Sequence, residues 1–441
     1  MQADECILFF AILAPPTFSP ASASQLPEPA IHLIKMSNLS PMPLTDQIAG
    51  VLELMFRRKL HLATHAAHSA PSIEVPPSMP SALLLKCNGI ADALVKAILN
   101  PVRLQWDIDR YCDSLSIQPT GQNEVLEAEL EWKWPPPFGE SEIRIDQPAT
   151  LVDMHGCILA WILPRVLIPD RQTKMLQATR ALHPAIAASK PSSITATGSL
   201  CLSPGWFQQV REHMESGRLE TSASLKLEGG RSWLHDIHDS SALLGAILAV
   251  VHPTLYATGR QCLGLIQQDP ELREMVLNWS LPFNALQVIA NRETPFHRDS
   301  KTRYTFYDLL AMLGNYTCAW LKFPAMRVAI DYSPGTVIAF CGKAIRHGIT
   351  RADGERLVYA YFMREGVQNR LGIPAPHWMQ ASYYASHIGM CTVHHRRDIM
   401  PKTDGDENTM QGMETVDGSF VGGTNLAEVM AKCMESRISE S

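Results

Sequence analysis

Apolar residues recur along this chain at two different spacings, one typical of helices and one typical of strands. Apolar positions spaced three and four apart predict amphipathic helices over four segments, 45–68, 82–99, 171–182 and 242–251. Asp239-Ser240 stands just before the fourth segment and predicts its N-cap. Residues 69–81 hold four prolines and four serines and predict a linker or loop between the first two helices.

Short strand patterns dominate further along the chain. Residues 326–332 alternate between apolar and polar positions, whereas 286–290, 336–340 and 357–362 are apolar runs typical of buried strands. Ser333-Pro334-Gly335 predicts a turn, and residues 149–167 predict a β-hairpin turning near His155-Gly156. Short strands joined by Pro/Gly turns predict an α+β protein with a double-stranded β-helix core, jelly-roll and cupin-like, flanked by helices.

The pattern divides the chain into four segments. We expect residues 1–35 to be a disordered or gene-model extension, 36–140 a helical N-terminal subdomain, 141–385 the double-stranded β-helix domain, and 386–441 a disordered acidic tail. The apolar run at 6–14 lacks a preceding Lys or Arg and follows Asp4-Glu5, which disfavours a secretory signal. No apolar run approaches the ~20 residues of a membrane-spanning helix, so we expect no membrane.

The charge distribution changes the meaning of the net charge of −6. Residues 404–441 hold eight Asp/Glu and two Lys/Arg, which accounts for the whole deficit. Residues 286–370 hold twelve Lys/Arg and seven Asp/Glu, so a nucleic-acid partner stays possible there. The ten cysteines include no Cys-x-x-Cys pair, which argues against a zinc ribbon and a disulfide framework.

The candidate chemistry lies at His297-Arg298-Asp299 and at His347, about fifty residues later. Two histidines and one carboxylate in this order are typical of the facial triad of non-haem Fe(II), which leaves three coordination positions open. Arg356 follows His347 by nine residues and opens an apolar run, where its planar fork suits the far carboxylate of 2-oxoglutarate. The pattern predicts a dioxygenase that uses Fe(II), 2-oxoglutarate and dioxygen, with His297, Asp299 and His347 as catalytic metal ligands.

Two other histidine clusters offer competing metal sites. His61, His65 and His68 would share one face of a helix, and His235 and His238 form a pair to which no third ligand follows at a suitable distance. Ordinary helix surface is the favoured interpretation of both clusters.

Several runs around the triad resemble the TET/JBP family of DNA-base dioxygenases, with the fungal, transposon-associated branch nearest. The resemblance covers roughly residues 140–375, and its motifs are specific only in combination. The matching runs are GCILAW at 156–161, GSL at 198–200, SPGWF at 203–207, PFN at 282–284, NRETPFHRD at 291–299, YDLL at 307–310, YSPGT at 332–336, GK and RHG within 342–348, and YFMR at 361–364. The chain lacks the cysteine-rich extension of animal TET enzymes.

The resemblance implies a substrate and a set of binding residues. The expected partner is double-stranded DNA carrying methylated bases, with 5-methylcytosine oxidised stepwise to 5-hydroxymethyl-, 5-formyl- and 5-carboxylcytosine. Phe362 and Arg292 would sandwich a flipped base, and Arg364 would contact its edge. Two further substrate-binding candidates are Asn291 and Ala360, and Arg292 is also expected beside Arg356 at the cofactor.

Thr302 departs from the family pattern, because some relatives place there an acidic residue that reads the cytosine amino group. Oxidative demethylation of N6-methyladenine therefore stays open, and thymine oxidation is a weaker option. A dioxygenase acting on protein or a small molecule, and a decayed DNA-binding module, are alternatives of other classes. We expect a monomer in the nucleus.

Overall fold

The structure, a computed structural model, describes residues 43–64, 80–115, 120–139, 141–189, 198–207, 217–292, 294–349 and 354–385. The α-helices are α1 Leu44–Thr64, α2 Ser81–Leu99, α3 Ile108–Ser114, α4 Glu124–Lys133, α5 Pro169–Thr179, α6 His183–Ser189, α7 Ala223–Lys226, α8 Glu228–Val251, α9 Pro253–Ile266, α10 Arg273–Leu277, α11 Glu365–Arg370 and α12 Ala381–Ala385. The strands are β1 Pro101–Arg103, β2 Ile143–Ile145, β3 Ala149–Val152, β4 Ile158–Leu163, β5 Gly198–Leu202, β6 Ala285–Ala290, β7 Asp308–Gly314, β8 Trp320–Phe323, β9 Val328–Asp331, β10 Val337–Phe340, β11 Gly348–Ile349 and β12 Arg356–Phe362.

These strands form two sheets, which make the jelly-roll core of an α+β fold as the sequence predicts. The large sheet has the order β1-β3-β4-β10-β7-β12-β6-β5, and the small sheet has the order β11-β8-β9-β2. Neighbouring strands are antiparallel except for the β1–β3 and β2–β9 pairs. The connection between β6 and β7 contains His297 and Asp299, and the connection between β10 and β11 contains His347.

Helices cover one face of the large sheet, and the tyrosine side chains of β12 contact them. Its odd-numbered tyrosines point to the helices: the hydroxyl of Tyr359 bonds Thr179 of α5 at 2.7 Å and accepts from the Trp233 indole of α8 at 3.0 Å. Side chains alternate along a strand, so Ala360 and Phe362 face the opposite side, where both are only partly buried. That opposite side is the interior of the jelly roll.

Helix α8 forms the centre of the helical layer, packing against α1, α5 and α9. By length and composition it is the one helix among the described residues that could cross a membrane, but 78% of its apolar window is buried inside the protein. The predicted N-cap at Asp239-Ser240 is wrong, because α8 begins eleven residues earlier at Glu228. Burial of Trp233 and Ile237 stabilises this early part despite its two glycines and its polar residues.

The other predicted elements are confirmed with small shifts of their ends. Helices α1, α2 and α5 and strands β6, β9, β10 and β12 correspond to predicted segments, and β3 pairs with β4 around a turn in which Gly156 has a φ of 85°. Predictions for residues 1–35, His65, His68, 386–441 and all but the last two residues of the linker 69–81 lie outside the described residues; Ser81, the last of these, begins α2. The division at residues 140 and 141 stays a prediction; β1, from the N-terminal side of it, joins the large sheet beside β3.

Candidate active site

A short β-bridge brings the candidate metal ligands together. The backbone N–H of His297 donates to the carbonyl oxygen of His347, and the N–H of His347 donates to that of His297, both at 2.9 Å. The backbone N–H of Asp299 donates to the carbonyl oxygen of Gly342 at 3.0 Å. Main-chain hydrogen bonds therefore place the three ligands, and their side chains project from neighbouring positions.

The three side chains converge on one point. Nε2 of His297 lies 3.5 Å from one carboxylate oxygen of Asp299, and Nε2 of His347 lies 3.8 Å from the other. One ligand atom from each residue lies within 4.8 Å of the other two. It is the one cluster of three such groups among the described residues, which include His235 and His238 but only His61 of the other histidine cluster.

Both imidazoles are oriented for metal binding. Nδ1 of His297 lies 3.0 Å from the carbonyl oxygen of Pro295, and Nδ1 of His347 lies 2.9 Å from that of Ile345. A carbonyl accepts only, so each Nδ1 carries the proton and each Nε2 keeps its lone pair toward Asp299. Two neutral Nε2 atoms and one carboxylate oxygen are the donor set that Fe(II) accepts as a facial triad.

The pKa values of the three triad residues are shifted by burial and by the short distances between their side chains. Burial opposes charge on Asp299, but the closeness of the His297 and His347 imidazoles lowers the pKa of Asp299 overall. Burial alone would lower the pKa of His297, yet its contact with Asp299 raises it. The pKa of the more buried His347 is lowered, chiefly by burial. The site therefore holds an anionic carboxylate between two imidazoles.

A glycine makes room for the ligand carboxylate. A Cβ atom on Gly342 would lie 2.1 Å from Oδ2 of Asp299 and 2.6 Å from Oδ2 of Asp308. Asp308, the first residue of β7, is buried, and burial and the charge of Asp299 raise its pKa well above the ordinary value. No role is assigned to Gly342 or Asp308 in the sequence analysis, because a single Gly or Asp in a sequence does not indicate which side chains it will contact in the folded protein.

Arg356 occupies the position that a 2-oxoglutarate anchor needs. Only 7% exposed, it opens β12, and its guanidinium donates to the carbonyl oxygen of Arg292. Its charge acts on two buried phenols of the same interior, Tyr316 and Tyr332. The Tyr332 hydroxyl is buried and has no hydrogen-bond partner within the described segments. A buried cation beside an unsatisfied hydroxyl fits a carboxylate ligand, so these residues fit 2-oxoglutarate.

The predicted base-binding residues differ in their burial and in the side chains that they contact. Ala360 and Phe362 face the interior, partly buried, while Arg292 is exposed and reaches Ser199 of β5 at 3.4 Å. The Arg364 guanidinium lies 4.7 Å from the ring centre of Trp206, whose role sequence reasoning missed. Thr302 is 2% exposed, and its hydroxyl has no partner among the residues described.

Asn291 has a clear backbone role. Its φ of 48° ends β6, its N–H donates to the carbonyl oxygen of Arg356, and its side-chain oxygen accepts from the N–H of Arg356, both at 2.8 Å. Left-handed φ values are tolerated best by Gly and Asn, which explains an asparagine here. Asn291 thereby positions the start of β12; contact with a base stays a prediction.

Comparisons with known proteins match part of this chain to a family model and to two solved structures. Residues 213–365 match the family model Tet_JBP, the oxygenase domain of the 2OGFeDO superfamily. Among solved structures the chain is similar to NgTET1 in complex with 5mC DNA, at 15% identity and a TM-score of 0.40 over 57% of this chain and 89% of that one. It is also similar to JOX2 in complex with 2OG, Fe and JA, at 12% identity and a TM-score of 0.27 over 75% and 97%.

None of the curated proteins matches the chain. The two structural similarities are low, so the assignment depends on the family model, whose range includes His297, Asp299, His347 and Arg356. The fungal branch stays a prediction. The chain contains an Fe(II)- and 2-oxoglutarate-dependent oxygenase domain of the 2OGFeDO superfamily, which matches the Tet_JBP model over residues 213–365.

Proposed function

We propose that this dioxygenase oxidises the methyl group of a methylated base in double-stranded DNA, with 5-methylcytosine as its main substrate. The observation that carries the proposal is the interior face of β12. Arg356, Ala360 and Phe362 share that face, and Ala360 and Phe362 are partly accessible, whereas Tyr359 and Tyr361 on the other face are buried. An accessible aromatic ring on the strand that carries the cofactor arginine suits a flat base.

A backbone hydrogen bond connects the segment after β12 to the loop that contains His297 and Asp299. The N–H of Glu365, three residues after Phe362, donates to the carbonyl oxygen of Lys301 at 3.1 Å, and Lys301 is two residues after Asp299. A base stacked on Phe362 would therefore enter beside the metal. Arg292 would supply the second stacking surface, a role that its exposed guanidinium permits.

Bound Fe(II) and 2-oxoglutarate, together with dioxygen, would supply an oxidant strong enough to break a C–H bond of the methyl group. This chain's residues do the positioning. His297, Asp299 and His347 hold the metal, and Arg356 binds the far carboxylate of 2-oxoglutarate. Phe362 and Ala360 hold the base at the interior face, and the buried surroundings of Arg356 keep water from its ion pair.

The rim of the site is positively charged, which suits a phosphate backbone. A cleft of about 500 Å³ beside the ligand loop is lined by seven residues: Phe207, Ser300, Lys301, Glu365, Gly366, Asn369 and Arg370. Its one carboxylate, Glu365, lies 3.0 Å from Arg303 and 3.6 Å from Lys343. Four cations around one carboxylate leave a positive surface next to the entrance.

The test is mass spectrometry of nucleosides after incubation with Fe(II), 2-oxoglutarate and duplex DNA. One duplex carries 5-methylcytosine and the other N6-methyladenine, and His297→Ala is the control. Oxidised cytosines that are absent from the control support the proposal. Unchanged DNA, with succinate still formed slowly by the unaltered protein, would refute it and favour a protein or small-molecule substrate.

N6-methyladenine is the second candidate, favoured by Thr302. A neutral, buried hydroxyl stands where some relatives carry an acidic residue, so a strict preference for the cytosine amino group lacks its usual partner. Loss of N6-methyladenine with release of formaldehyde would establish demethylation. DNA affinity without any cofactor-dependent turnover would instead identify a decayed binding module.

The proposal also includes a monomer that works in the nucleus, because its substrate is genomic DNA. Light scattering of the purified protein tests the first point, and imaging of a fluorescent fusion tests the second. A stable dimer, or exclusion from the nucleus, would refute the respective point.

A further inference from the structure

Two arginines flank the metal ligands in the chain, and both reach the same segment before the oxygenase domain. Arg298 lies between His297 and Asp299, and Arg346 precedes His347. The segment they reach is 120–127, which includes the first turn of α4. It lies outside residues 213–365, the range that the family model matches.

Most of the hydrogen bonds that Arg298 donates go to residues 111–127. Its guanidinium donates to both carboxylate oxygens of Glu127, at 2.5 and 2.8 Å, and to the Tyr111 hydroxyl at 2.6 Å. Its Nε donates to the carbonyl oxygen of Ala344 at 3.1 Å, and its backbone N–H donates to that of Thr120 at 2.8 Å. A two-pronged contact of this kind fixes orientation as well as distance.

Arg346, the residue before His347, hydrogen-bonds to the same segment. Its Nε donates to the carbonyl oxygen of Gly121 at 2.8 Å and lies 3.9 Å from Glu127, and its Nη2 donates to Glu124 at 2.5 Å. Gly121 has a φ of 73°, and a Cβ there would come within 3.2 Å of the backbone of His297 and Arg298. The segment therefore packs directly on the ligand backbone.

The contacts are buried, although the helix that supplies them is not. The side chains of Arg298, Arg346 and Glu127 are 1%, 9% and 11% exposed. Helix α4 has no fully buried residue, and its Val125 is 68% exposed. Apolar packing therefore contributes little to the position of α4, and the carboxylates of Glu124 and Glu127 attach its first turn to the ligand segments, Glu127 being the one that lies near both arginines.

We propose that Glu127 is a positioning residue of the metal centre, acting through Arg298 and Arg346 on the segments that carry His297, Asp299 and His347. One carboxylate thus couples both ligand segments, in addition to their backbone bridge. The inference depends on the metal site and not on the DNA substrate, so its test needs no DNA. It makes the N-terminal part of the chain a component of the active site.

The experiment titrates Co(II) into the full-length, metal-free protein and follows the visible d–d absorption, which reports coordination geometry. The variants are Glu127→Ala and Glu127→Gln, with Glu129→Ala as the matched control. Glu129 carries the same charge on the same helix and, in the described structure, bonds neither arginine. Circular dichroism verifies that each variant is folded.

We expect Glu127→Ala to weaken Co(II) binding by about 10- to 100-fold and to change the d–d spectrum, the usual size of such indirect effects. Glu127→Gln should recover part of the loss, since its amide oxygen still accepts a hydrogen bond from Arg298. Glu129→Ala should match the unaltered protein. If Glu127→Ala does not fold, Glu127→Gln decides by the same spectrum.

Unchanged affinity and spectrum in a folded Glu127 variant would overturn the proposal, as would an equal loss in Glu129→Ala. Failure of both Glu127 variants to fold would also overturn it, because Glu127 would then serve the fold as a whole. Inactivity on DNA with normal Co(II) binding would bear only on the proposed substrate.

Discussion

His297 and His347 exchange a pair of backbone hydrogen bonds at 2.9 Å, although fifty residues separate them in the chain. Their rings lie 4.4 Å apart, with each Nδ1 held by a carbonyl oxygen two residues earlier. The bridge means that the two histidines are presented as one rigid unit, and that the metal meets a site already assembled by the backbone.

Loss of either histidine should abolish the reaction without unfolding the protein. We expect His347→Ala to reduce 2-oxoglutarate-dependent succinate formation to background, because only two protein ligands remain. The control is His235→Ala, since His235 is exposed and belongs to the competing histidine pair. Full activity in His347→Ala, or loss of activity in His235→Ala, would contradict the assignment of the triad.

Gly342→Ala should damage the metal site through a steric effect. Its Cβ would lie 2.1 Å from the Asp299 carboxylate, so the ligand or the strand end must shift. We expect a fall in Co(II) affinity of about 10-fold or more, of the order seen when ligand orientation is disturbed. Gly264→Ala is the control, because a Cβ at Gly264 in α9 meets nothing within 4 Å. Equal affinities would show that the pocket around Asp299 adapts.

Arg356→Lys should separate cofactor binding from metal binding. Lysine keeps the charge but cannot grip both carboxylate oxygens, so we expect the KM for 2-oxoglutarate to rise on the order of 10- to 100-fold. Co(II) affinity should stay the same. Arg144→Lys, at an exposed position, is the control. An unchanged KM would mean that another residue binds the far carboxylate.

Phe362→Ala should separate substrate binding from the chemistry at the metal. Stacking of a base on an aromatic ring contributes about 1–3 kcal/mol, so activity on methylated duplex should fall roughly 5- to 150-fold. Slow succinate formation without DNA should persist, and Phe362→Tyr should retain activity because it keeps the ring. If Phe362→Ala lowers the unfolding midpoint but not DNA oxidation, the residue serves the barrel core instead.

His252 should make stability fall in mild acid. It is fully buried at the start of α9, where its Nδ1 accepts from the N–H of Leu255, and burial lowers its pKa to about 4. Between about pH 6.5 and 4 the unfolded chain binds a proton that the folded chain does not, so the free energy of unfolding decreases as pH falls. The decrease due to His252 is roughly 3 kcal/mol at most.

Denaturant unfolding at several pH values measures this effect, with His252→Asn as the comparison. Asparagine can still cap the helix, but it does not titrate. We expect the variant to show a flatter dependence on pH in this window. An equally steep dependence in both proteins would assign the acid sensitivity to other groups.

Much of the core and the candidate metal ligands could be predicted from the sequence because their signals are local. The order of His297, Asp299 and His347, the runs that became β6, β10 and β12, and the turn at Ser333-Pro334-Gly335 all lie in short windows. The start of α8 could not be found this way. Polar residues and two glycines hide a helix that burial of its apolar side stabilises.

The sequence by itself determined which donor side chains are available, in what order they occur, and that Arg356 and Phe362 lie on the same face of β12. Only the tertiary structure decided how those donors are held. The bridge between His297 and His347, the space that Gly342 leaves for Asp299, and the hold of Glu127 on Arg298 and Arg346 join residues that are distant in the chain. Local periodicity reports which side of a strand or helix is buried, but not which distant backbone or carboxylate it meets there.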